Sequence, residues 1–228
     1  MKKKILVIEP HSDDAIIAAG GYFLKFQKDI ELFFCLITAS DLNLNHGYVE
    51  KKVRIEEYKN FVDCFSGKWV RNYKEHKNFL PLDEESKLDL YSKAKLINII
   101  ENAITDTKPD TIMVTGPSFH QDHLVVYESL IAATRPTKEL SAKEIIILEN
   151  PTYVHSPYLD YFKPNLYVDL SEDIINKKCD LFEKIFPSQA RKTGNYLSKQ
   201  GIKKHASYRG TEARTEYAEA FFQFIKKI

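Results

Sequence analysis

Short apolar runs alternate with segments whose apolar residues recur at helical spacing along most of the chain. The runs are typical of strands buried on both faces of a sheet, and they predict strands at residues 4–8, 32–38, 69–73, 111–114 and 145–148. The amphipathic segments predict helices at residues 15–28, 49–65, 84–107 and 124–134. This alternation predicts an α/β fold with a mostly parallel sheet covered by helices on both faces.

The last third of the chain is more polar and its pattern is less regular. Residues 150–162 predict a long loop, residues 166–169 a short strand, and Ser171 opens a helix that runs to residue 186. Residues 194–210 contain glycine and lysine throughout and predict a flexible loop at the rim, and residues 212–228 predict a closing helix. Since the sequence has no repeat, low-complexity segment or clear linker, it predicts a single domain over residues 1–228.

Composition narrows the class of protein. A formal net charge of +1 gives no electrostatic reason to expect nucleic acid or an anionic membrane as a partner. No stretch approaches the roughly 20 apolar residues of a membrane span, and the apolar run after the N-terminal lysines is too short for a signal peptide. Three widely spaced cysteines form neither a disulfide framework nor a zinc knuckle. We therefore expect a cytoplasmic protein, whose oligomeric state the sequence does not indicate.

Two polar clusters each follow a predicted strand. His11-Ser12-Asp13-Asp14 comes after residues 4–8, and His120-Gln121-Asp122-His123 comes after residues 111–114. Because ligands bind at the carboxyl ends of strands in an open α/β sheet, the two clusters are expected to meet at one edge. The sequence thus predicts a metal-dependent hydrolase.

Each residue type in the clusters has a chemical use. Zinc binds imidazole nitrogen and carboxylate oxygen, and a catalytic site keeps three protein ligands plus water, which His11, Asp14 and His123 could provide. Asp13 could take a proton from that water. His120, as an imidazolium, could stabilise an oxyanion and protonate a leaving amine, and Asp122 could orient a neighbouring histidine.

Simpler interpretations exist for each cluster alone. Two aspartates before a helix commonly serve its N-terminus, and Ser12 and Asp13 are available as caps for the helix predicted from residue 15. A His-x-x-His pair is more often incidental than metal-binding. The occurrence of both clusters, each after an apolar strand, favours the metal site.

The same residues carry a family resemblance. Pro10-His11-Ser12-Asp13-Asp14 resembles the Pro/Ala-His-Pro-Asp-Asp-Glu motif of the PIG-L/LmbE family of zinc-dependent N-deacetylases, and His120-Gln121-Asp122-His123 resembles its His-x-Asp-His motif. Softer similarities to the family occur at Arg54-Ile55-Glu56-Glu57, Ser188-Gln189 and Tyr217-Ala218-Glu219, so the resemblance spans nearly the whole chain.

The resemblance implies a Rossmann-like fold and the removal of acetyl from N-acetylglucosamine-type groups. It implies the same roles as the residue chemistry: zinc ligands at His11, Asp14 and His123, a base at Asp13 and an electrophile at His120. A set of two histidines and an aspartate also accepts Fe²⁺ or Co²⁺. Ser12 stands where the family commonly has proline, and Ala15 stands where it has glutamate; these departures leave the substrate, rather than the chemistry, open.

Substrate contacts are less defined. Arg54 and Ser12 are candidates, although Arg54 could instead form a surface pair with Glu57. Basic residues near the rim could bind a phosphorylated or nucleotide-linked sugar or could simply be solvated. These residues are Arg191, Lys192, Lys199, Lys203, Lys204, His205 and Arg209.

The sequence therefore predicts an enzyme that deacetylates an N-acetylated amino sugar. The alternatives are a zinc hydrolase of another amide or ester, a catalytically silent sugar-binding relative, and a nucleotide-binding Rossmann module. The last is disfavoured because no Gly-x-Gly-x-x-Gly follows the first strand.

Overall fold

The computed structural model describes residues 1–44, 47–70, 81–136, 142–151, 162–192 and 194–228. Within these ranges the strands are β1 Lys3–Glu9, β2 Ile30–Leu36, β3 Leu42–Leu44, β4 Gly47–Val49, β5 Lys68–Trp69, β6 Thr111–Thr115, β7 Glu144–Leu148, β8 Leu166–Leu170 and β9 Tyr217–Lys226. The helices are α1 Asp14–Phe26, α2 Lys51–Cys64, α3 Lys93–Thr107, α4 Gln121–Ala133, α5 Glu172–Ile185 and α6 Lys199–Ala213, with a short 3-10 helix at Leu88–Leu90.

Seven of the described strands form one sheet in the order β5-β2-β1-β6-β7-β9-β8. The five strands from β5 to β7 pair in parallel, and β9 pairs antiparallel with both β7 and β8. Strands β3 and β4 form a separate antiparallel hairpin. The predicted α/β architecture with a mostly parallel sheet is confirmed.

The sheet is covered on both faces because the middle residues of its central strands are apolar on both sides. Along β1, Ile5 and Val7 point into one core, and Leu6 and Ile8 point into the other. The first core contains residues of α1, α2, α5 and α6, whereas the second contains residues of α3 and α4. The continuous apolar run of β1 is therefore buried from both sides of the sheet, as the sequence predicts.

One predicted helix is shorter than expected. The segment 84–107 was predicted as a single helix, but α3 begins at Lys93. The preceding residues are held in a turn and a 3-10 helix because the amides of Ser86 and Leu88 both donate to the Asp122 carboxylate, at 2.6 and 3.0 Å. A contact with a distant residue thus replaces the local helical pattern.

Two predictions near the C-terminus are wrong. The segment 194–210, predicted as a loop, contains most of α6, and the segment 212–228, predicted as a helix, contains β9. In α6 the buried face includes His205 and Arg209 beside Ile202, so apolar periodicity is weak. In β9 the first five residues are all buried, which removes the alternation that marks a strand.

Parts of two other predictions lie outside the described residues. These are the end of the strand at residues 69–73 and nearly all of the loop at residues 150–162. Among the residues that the structure does describe, none belongs to a helix long and apolar enough to cross a membrane.

Candidate metal centre and active site

The two polar clusters meet where the chain changes direction across the sheet. β1 and β6 are parallel neighbours, and from β1 the chain first fills the side that carries β2 and β5 before it returns to β6. Such a switch leaves a crevice outside the carboxyl ends of the two strands. His11 Nδ1 lies 3.1 Å from His123 Nε2 in this crevice, so the expected meeting of the clusters is confirmed.

The first cluster is shaped by a strand residue. α1 begins at Asp14, and its N-cap residue Asp13 makes no capping hydrogen bond through its side chain. The buried Glu9 accepts the Ala15 amide at 3.0 Å instead. The prediction that Ser12 or Asp13 caps α1 is therefore wrong: Glu9 takes that position, and the Asp13 side chain lines the cavity of the site.

The second cluster is fixed by the start of α4. His120 is the N-cap residue, and its Nδ1 accepts the Asp122 amide at 3.2 Å. Upstream, the Gly116 amide donates to Leu148 O at 2.9 Å, and a Cβ at this position would lie 2.8 Å from that oxygen. Glycine is needed here because the backbone leaving β6 runs so close to β7.

The predicted zinc ligands have the spacing that one ion requires. Asp14 Oδ2 lies 3.5 Å from His11 Nδ1, Asp14 Oδ1 lies 3.5 Å from His123 Nε2, and the two ring nitrogens are 3.1 Å apart. Ligand atoms at 2.0–2.2 Å from a tetrahedral zinc ion are about 3.3 Å apart, so this chemistry and spacing fit a metal. His11, His120 and His123 also form a group that could hold a metal ion, because one ring nitrogen of each lies within 4.8 Å of the others.

Further residues hold these ligands in place. Asp122 is fully buried, and its Oδ2 lies 3.0 Å from His11 Nε2, which leaves His11 Nδ1 for the metal position. Ser118 Oγ is 2.8 Å from His123 Nδ1, and Asn150 Nδ2 donates to Asp14 Oδ1 at 3.2 Å. The sequence predicts an orienting role for Asp122 but gives no such prediction for Ser118 or Asn150. Asn150 lies just past the end of β7, and this position after a predicted strand could have identified it as a candidate site residue.

The charged groups of the first cluster shift one another's pKa values. Burial alone would lower the pKa of His11, but its hydrogen bonds with Asp122 and Asp14 outweigh burial and raise it to about 10. Burial would raise the pKa of Asp14, yet the adjacent His123 and His11 hold it below its usual range. Burial and the neighbouring Asp14 raise the pKa of Asp13. Of the two adjacent aspartates, Asp13 therefore binds a proton more readily, and Asp14 stays charged to lower pH.

His120 differs from the predicted imidazolium. Its Nδ1 is an acceptor for a backbone amide, so a proton on the neutral ring resides on Nε2. Burial and the nearby His11 also lower the pKa of His120. Both observations favour a neutral ring that can donate from Nε2.

The site opens into a cavity of about 380 Å³. Its wall includes all three histidines, both aspartates, Asn150, Arg54, Glu85 and Arg191. The side chain of Ser12, by contrast, is fully buried, and its hydroxyl has no hydrogen-bond partner in the described part of the chain. The structure does not bring this candidate substrate contact to the cavity wall.

Arg54 is buried rather than solvated. It is 1% exposed, and its Nη1 donates to the Glu85 carboxylate and, at 3.4 Å, to Ser40 O. The alternative pair with Glu57 is wrong, because Glu57 accepts hydrogen bonds from the amide and hydroxyl of Ser188 at 2.9 and 2.5 Å. Arg54 therefore faces the cavity with one nitrogen already paired.

Five of the seven basic residues near the rim separate into three groups. His205 and Arg209 are buried and bind the carboxylate of Glu149. Lys199 and Lys203 form exposed pairs with Asp180 and Glu172. Arg191 is the member that lines the cavity, as far as the described residues show.

A Rossmann-like sheet that carries possible metal ligands beyond the carboxyl ends of β1 and β6 is consistent with a hydrolase, and the comparison with family models is more specific. Residues 6–134 match the model PIG-L, described as GlcNAc-PI de-N-acetylase. This match covers more than half of the chain, and the chain therefore belongs to the PIG-L family. No curated protein sequence matches the chain.

Solved structures share the whole fold at low identity. The zinc-inhibited form of teicoplanin deacetylase Orf2 has a TM-score of 0.71 and 13% identity, with 97% of each chain covered. N,N'-diacetylchitobiose deacetylase from Pyrococcus horikoshii has a TM-score of 0.63 and 17% identity, covering 98% of this chain and 84% of that one. The 4-carboxy-2-hydroxymuconate hydratase GalB from Pseudomonas putida, at 0.67 and 14% identity, covers 99% and 98%. The last shows that this fold also serves a different reaction.

Proposed function

We propose that this protein is a metal-dependent N-deacetylase that releases acetate from an N-acetylated amino sugar. The observation that carries the proposal is the close set of His11, Asp14 and His123 beside Asp13 and His120 in one cavity. Membership of the PIG-L family supports it, and so do the two deacetylases of the same fold.

His11 Nδ1, His123 Nε2 and the Asp14 carboxylate would hold the metal, for which Zn²⁺ is the first candidate and Fe²⁺ or Co²⁺ are alternatives. A bound divalent ion supplies an acidified water and polarises the acetamide carbonyl. Asp122 keeps His11 Nε2 engaged, and Ser118 engages His123 Nδ1, so each ring presents its other nitrogen.

Asp13 is the general base of the proposed reaction. Its carboxylate takes a proton from the attacking water as the water oxygen bonds to the acetyl carbon. The same carboxyl returns that proton to the sugar nitrogen as the carbon–nitrogen bond breaks. The products are acetate and the free amine, which balances the hydrolysis without another co-reactant.

His120 stabilises the charge that develops on the carbonyl oxygen. Its Nε2–H donates to this oxygen, while its Nδ1 stays bonded to the Asp122 amide and fixes the ring. A neutral donor is sufficient for this role. Arg54 remains the candidate for a sugar hydroxyl, and a substrate role for Ser12 would require its hydroxyl to reach the cavity.

The test is acetate release from a panel of N-acetylated amino sugars, measured together with metal content before and after chelation. About one metal ion per chain is expected, and activity should be lost on chelation and restored by Zn²⁺. Bound metal without acetate release from any sugar would contradict the proposed substrate. Failure to bind any divalent metal would contradict the proposed chemistry.

Hydrolysis of another amide or an ester is the second candidate, because the shared fold with a hydratase shows that the scaffold is not restricted to deacetylation. Simple acetanilides and acetyl esters in the same panel separate the two. A silent sugar-binding relative is less consistent with the site, since simple binding has no chemical need for Asp13 and His120.

A further inference from the structure

Arg191 is anchored on one side by the backbone of its own loop. Its Nη1 donates to the carbonyl oxygens of Ser188, Gln189 and Ala190 at 3.1, 2.5 and 3.3 Å. Its amide also donates to Leu197 O at 2.7 Å. The guanidinium is therefore held in one orientation without using a carboxylate.

The loop that anchors Arg191 is itself fixed to the core. Ser188 donates from its amide and its hydroxyl to Glu57, a buried residue of α2. Arg54 lies one turn earlier on the same helix and lines the same cavity. Arg191 is thus placed relative to the site by buried contacts, which reduces the entropy lost when it binds a ligand.

The remaining donors of Arg191 are available to a ligand. Nε and Nη2 make no hydrogen bond to any residue in the described ranges, and neither is a buried atom. Burial lowers the pKa of Arg191, and the nearby Asp13 partly offsets this, but a guanidinium stays charged throughout the working pH range. Two N–H groups on a fixed plane match the two oxygens of a carboxylate or phosphate.

Among the described residues, no carboxylate of the cavity wall is hydrogen-bonded to Arg191. Among the described wall residues the acidic groups are Asp13, Asp14 and Glu85, and the basic groups besides histidine are Arg54 and Arg191. Glu85 pairs with Arg54. The two aspartates would offset the charge of a divalent ion held at the site. The positive charge of Arg191 is then the one left to attract a ligand.

We propose that Arg191 binds an acidic group on the substrate, either a phosphate or a carboxylate attached to the N-acetylated sugar. The inference rests on the proposed deacetylase function and narrows its substrate class to acidic conjugates of amino sugars. Arg191 acts as a binding and specificity residue, and the reacting atoms remain with Asp13 and His120.

The test compares three matched substrates: methyl N-acetylglucosaminide, its carboxymethyl analogue and N-acetylglucosamine 1-phosphate. The wild-type protein should have a higher kcat/KM for at least one acid than for the neutral methyl glycoside. Arg191→Gln should lower kcat/KM for that acid by about 10- to 100-fold, the range of one charge-assisted contact, mainly through KM. The kcat/KM of this variant for the methyl glycoside should stay within about 2-fold of wild type, because that substrate has no acidic group for Arg191 to bind.

Two variants serve as controls. Lys192→Gln removes the same charge from the exposed neighbouring position and should leave the acid preference unchanged. Arg191→Lys keeps the charge but loses the planar fork, and it should retain part of the preference. Thermal melting of each variant checks that the loop change has not unfolded the protein.

Calorimetric binding of the same three compounds gives a readout that does not need turnover. Tighter binding of an acid to the wild-type protein, lost in Arg191→Gln, would support the inference even if no acetate is released. Equal kcat/KM and equal affinity for acids and the methyl glycoside would overturn it while leaving deacetylation intact. An equal loss on all three substrates in Arg191→Gln would also overturn it. Whether the acidic group is a carboxylate or a phosphate follows from which of the two acidic substrates shows the effect.

Discussion

Asp13 and Asp14 are adjacent in sequence, but different groups surround their carboxylates. Asp14 is close to His11 and His123 and accepts from Asn150. Asp13 has the repulsion of Asp14 and the cost of burial, and it makes no capping bond. Two identical side chains thereby acquire different proton affinities through their environments alone.

Asp13→Asn is expected to keep its metal and lose activity. The amide has nearly the shape of the carboxylate but cannot accept the proton, so kcat should fall by roughly 10²- to 10⁴-fold, the usual contribution of a general base. Metal content per chain and acetate release, measured on the same sample, check the retained metal and the lost activity. Undiminished kcat would show that another group is the base.

Residue type alone was enough to propose the candidate metal ligands, because histidine and aspartate at strand ends have a recognisable chemistry. It did not identify Glu9, which lies inside a strand, or Ser118, whose hydroxyl is common on any surface. Nor could it show that the Asp122 amide donates to His120 Nδ1, the hydrogen bond that favours a neutral ring. Contacts made by ordinary residues in three dimensions leave no signal in a single sequence.

At the scale of elements, a buried ion pair joins α1, α5 and β9. Lys178 Nζ lies 2.7 Å from Glu219 Oε1 and donates to Ile17 O at 2.6 Å. Glu219 also accepts the amides of Gly21 and Tyr22, at 2.7 and 2.6 Å. A Cβ on Gly21 would lie 2.9 Å from Glu219 Oε1, so the glycine allows this approach.

Lys178→Met should destabilise the fold because it leaves the Glu219 carboxylate buried without its cation. Removing one partner of a buried pair costs about 3–5 kcal/mol in the free energy of unfolding. Urea denaturation measures the change, and Lys177→Met, at the exposed neighbouring position, is the matched control and should lie within about 0.5 kcal/mol of wild type. Equal stability of the two variants would contradict a structural role for the pair.

The elements that were predicted correctly are those whose burial is made of apolar residues in a regular pattern. The parallel strands and α5, capped by Ser171 through the Ile174 amide at 3.3 Å, belong to this group. The helix α6 was missed because His205 and Arg209 occupy its buried face and bind Glu149. Polar residues that are buried because they bind one another give the same sequence pattern as an exposed loop.

For the whole molecule, Glu149 makes stability depend on pH. Burial would raise its pKa, but the hydrogen bonds and charges of His205 and Arg209 outweigh burial and lower the pKa in the folded state. A carboxylate with a lowered folded pKa contributes stability above its unfolded value, about 4.3, and this contribution is lost as the pH falls through the folded pKa. Glu149 is therefore expected to promote acid unfolding.

The measurement is the free energy of unfolding from urea titrations between about pH 6 and 3, with a chelator present so that metal loss does not contribute. Wild type should lose stability as the pH falls, and Glu149→Gln should begin less stable and show a shallower decline. Glu216→Gln changes an exposed carboxylate nearby and should follow the wild-type slope. An identical slope for Glu149→Gln would show that other carboxylates account for acid unfolding.

The position of β9 has a consequence for how the protein is made. β9 lies between β7 and β8, and β8 has no other neighbour in the described sheet. A ribosome completes the candidate metal-binding residues early, but it delivers β9 after every other strand of the sheet. Until then, β7 presents an open edge and β8 cannot join the sheet, so the growing chain exposes surfaces that favour pairing with another molecule. We expect newly made chains to depend on a chaperone until β9 has been synthesised and the sheet can close correctly.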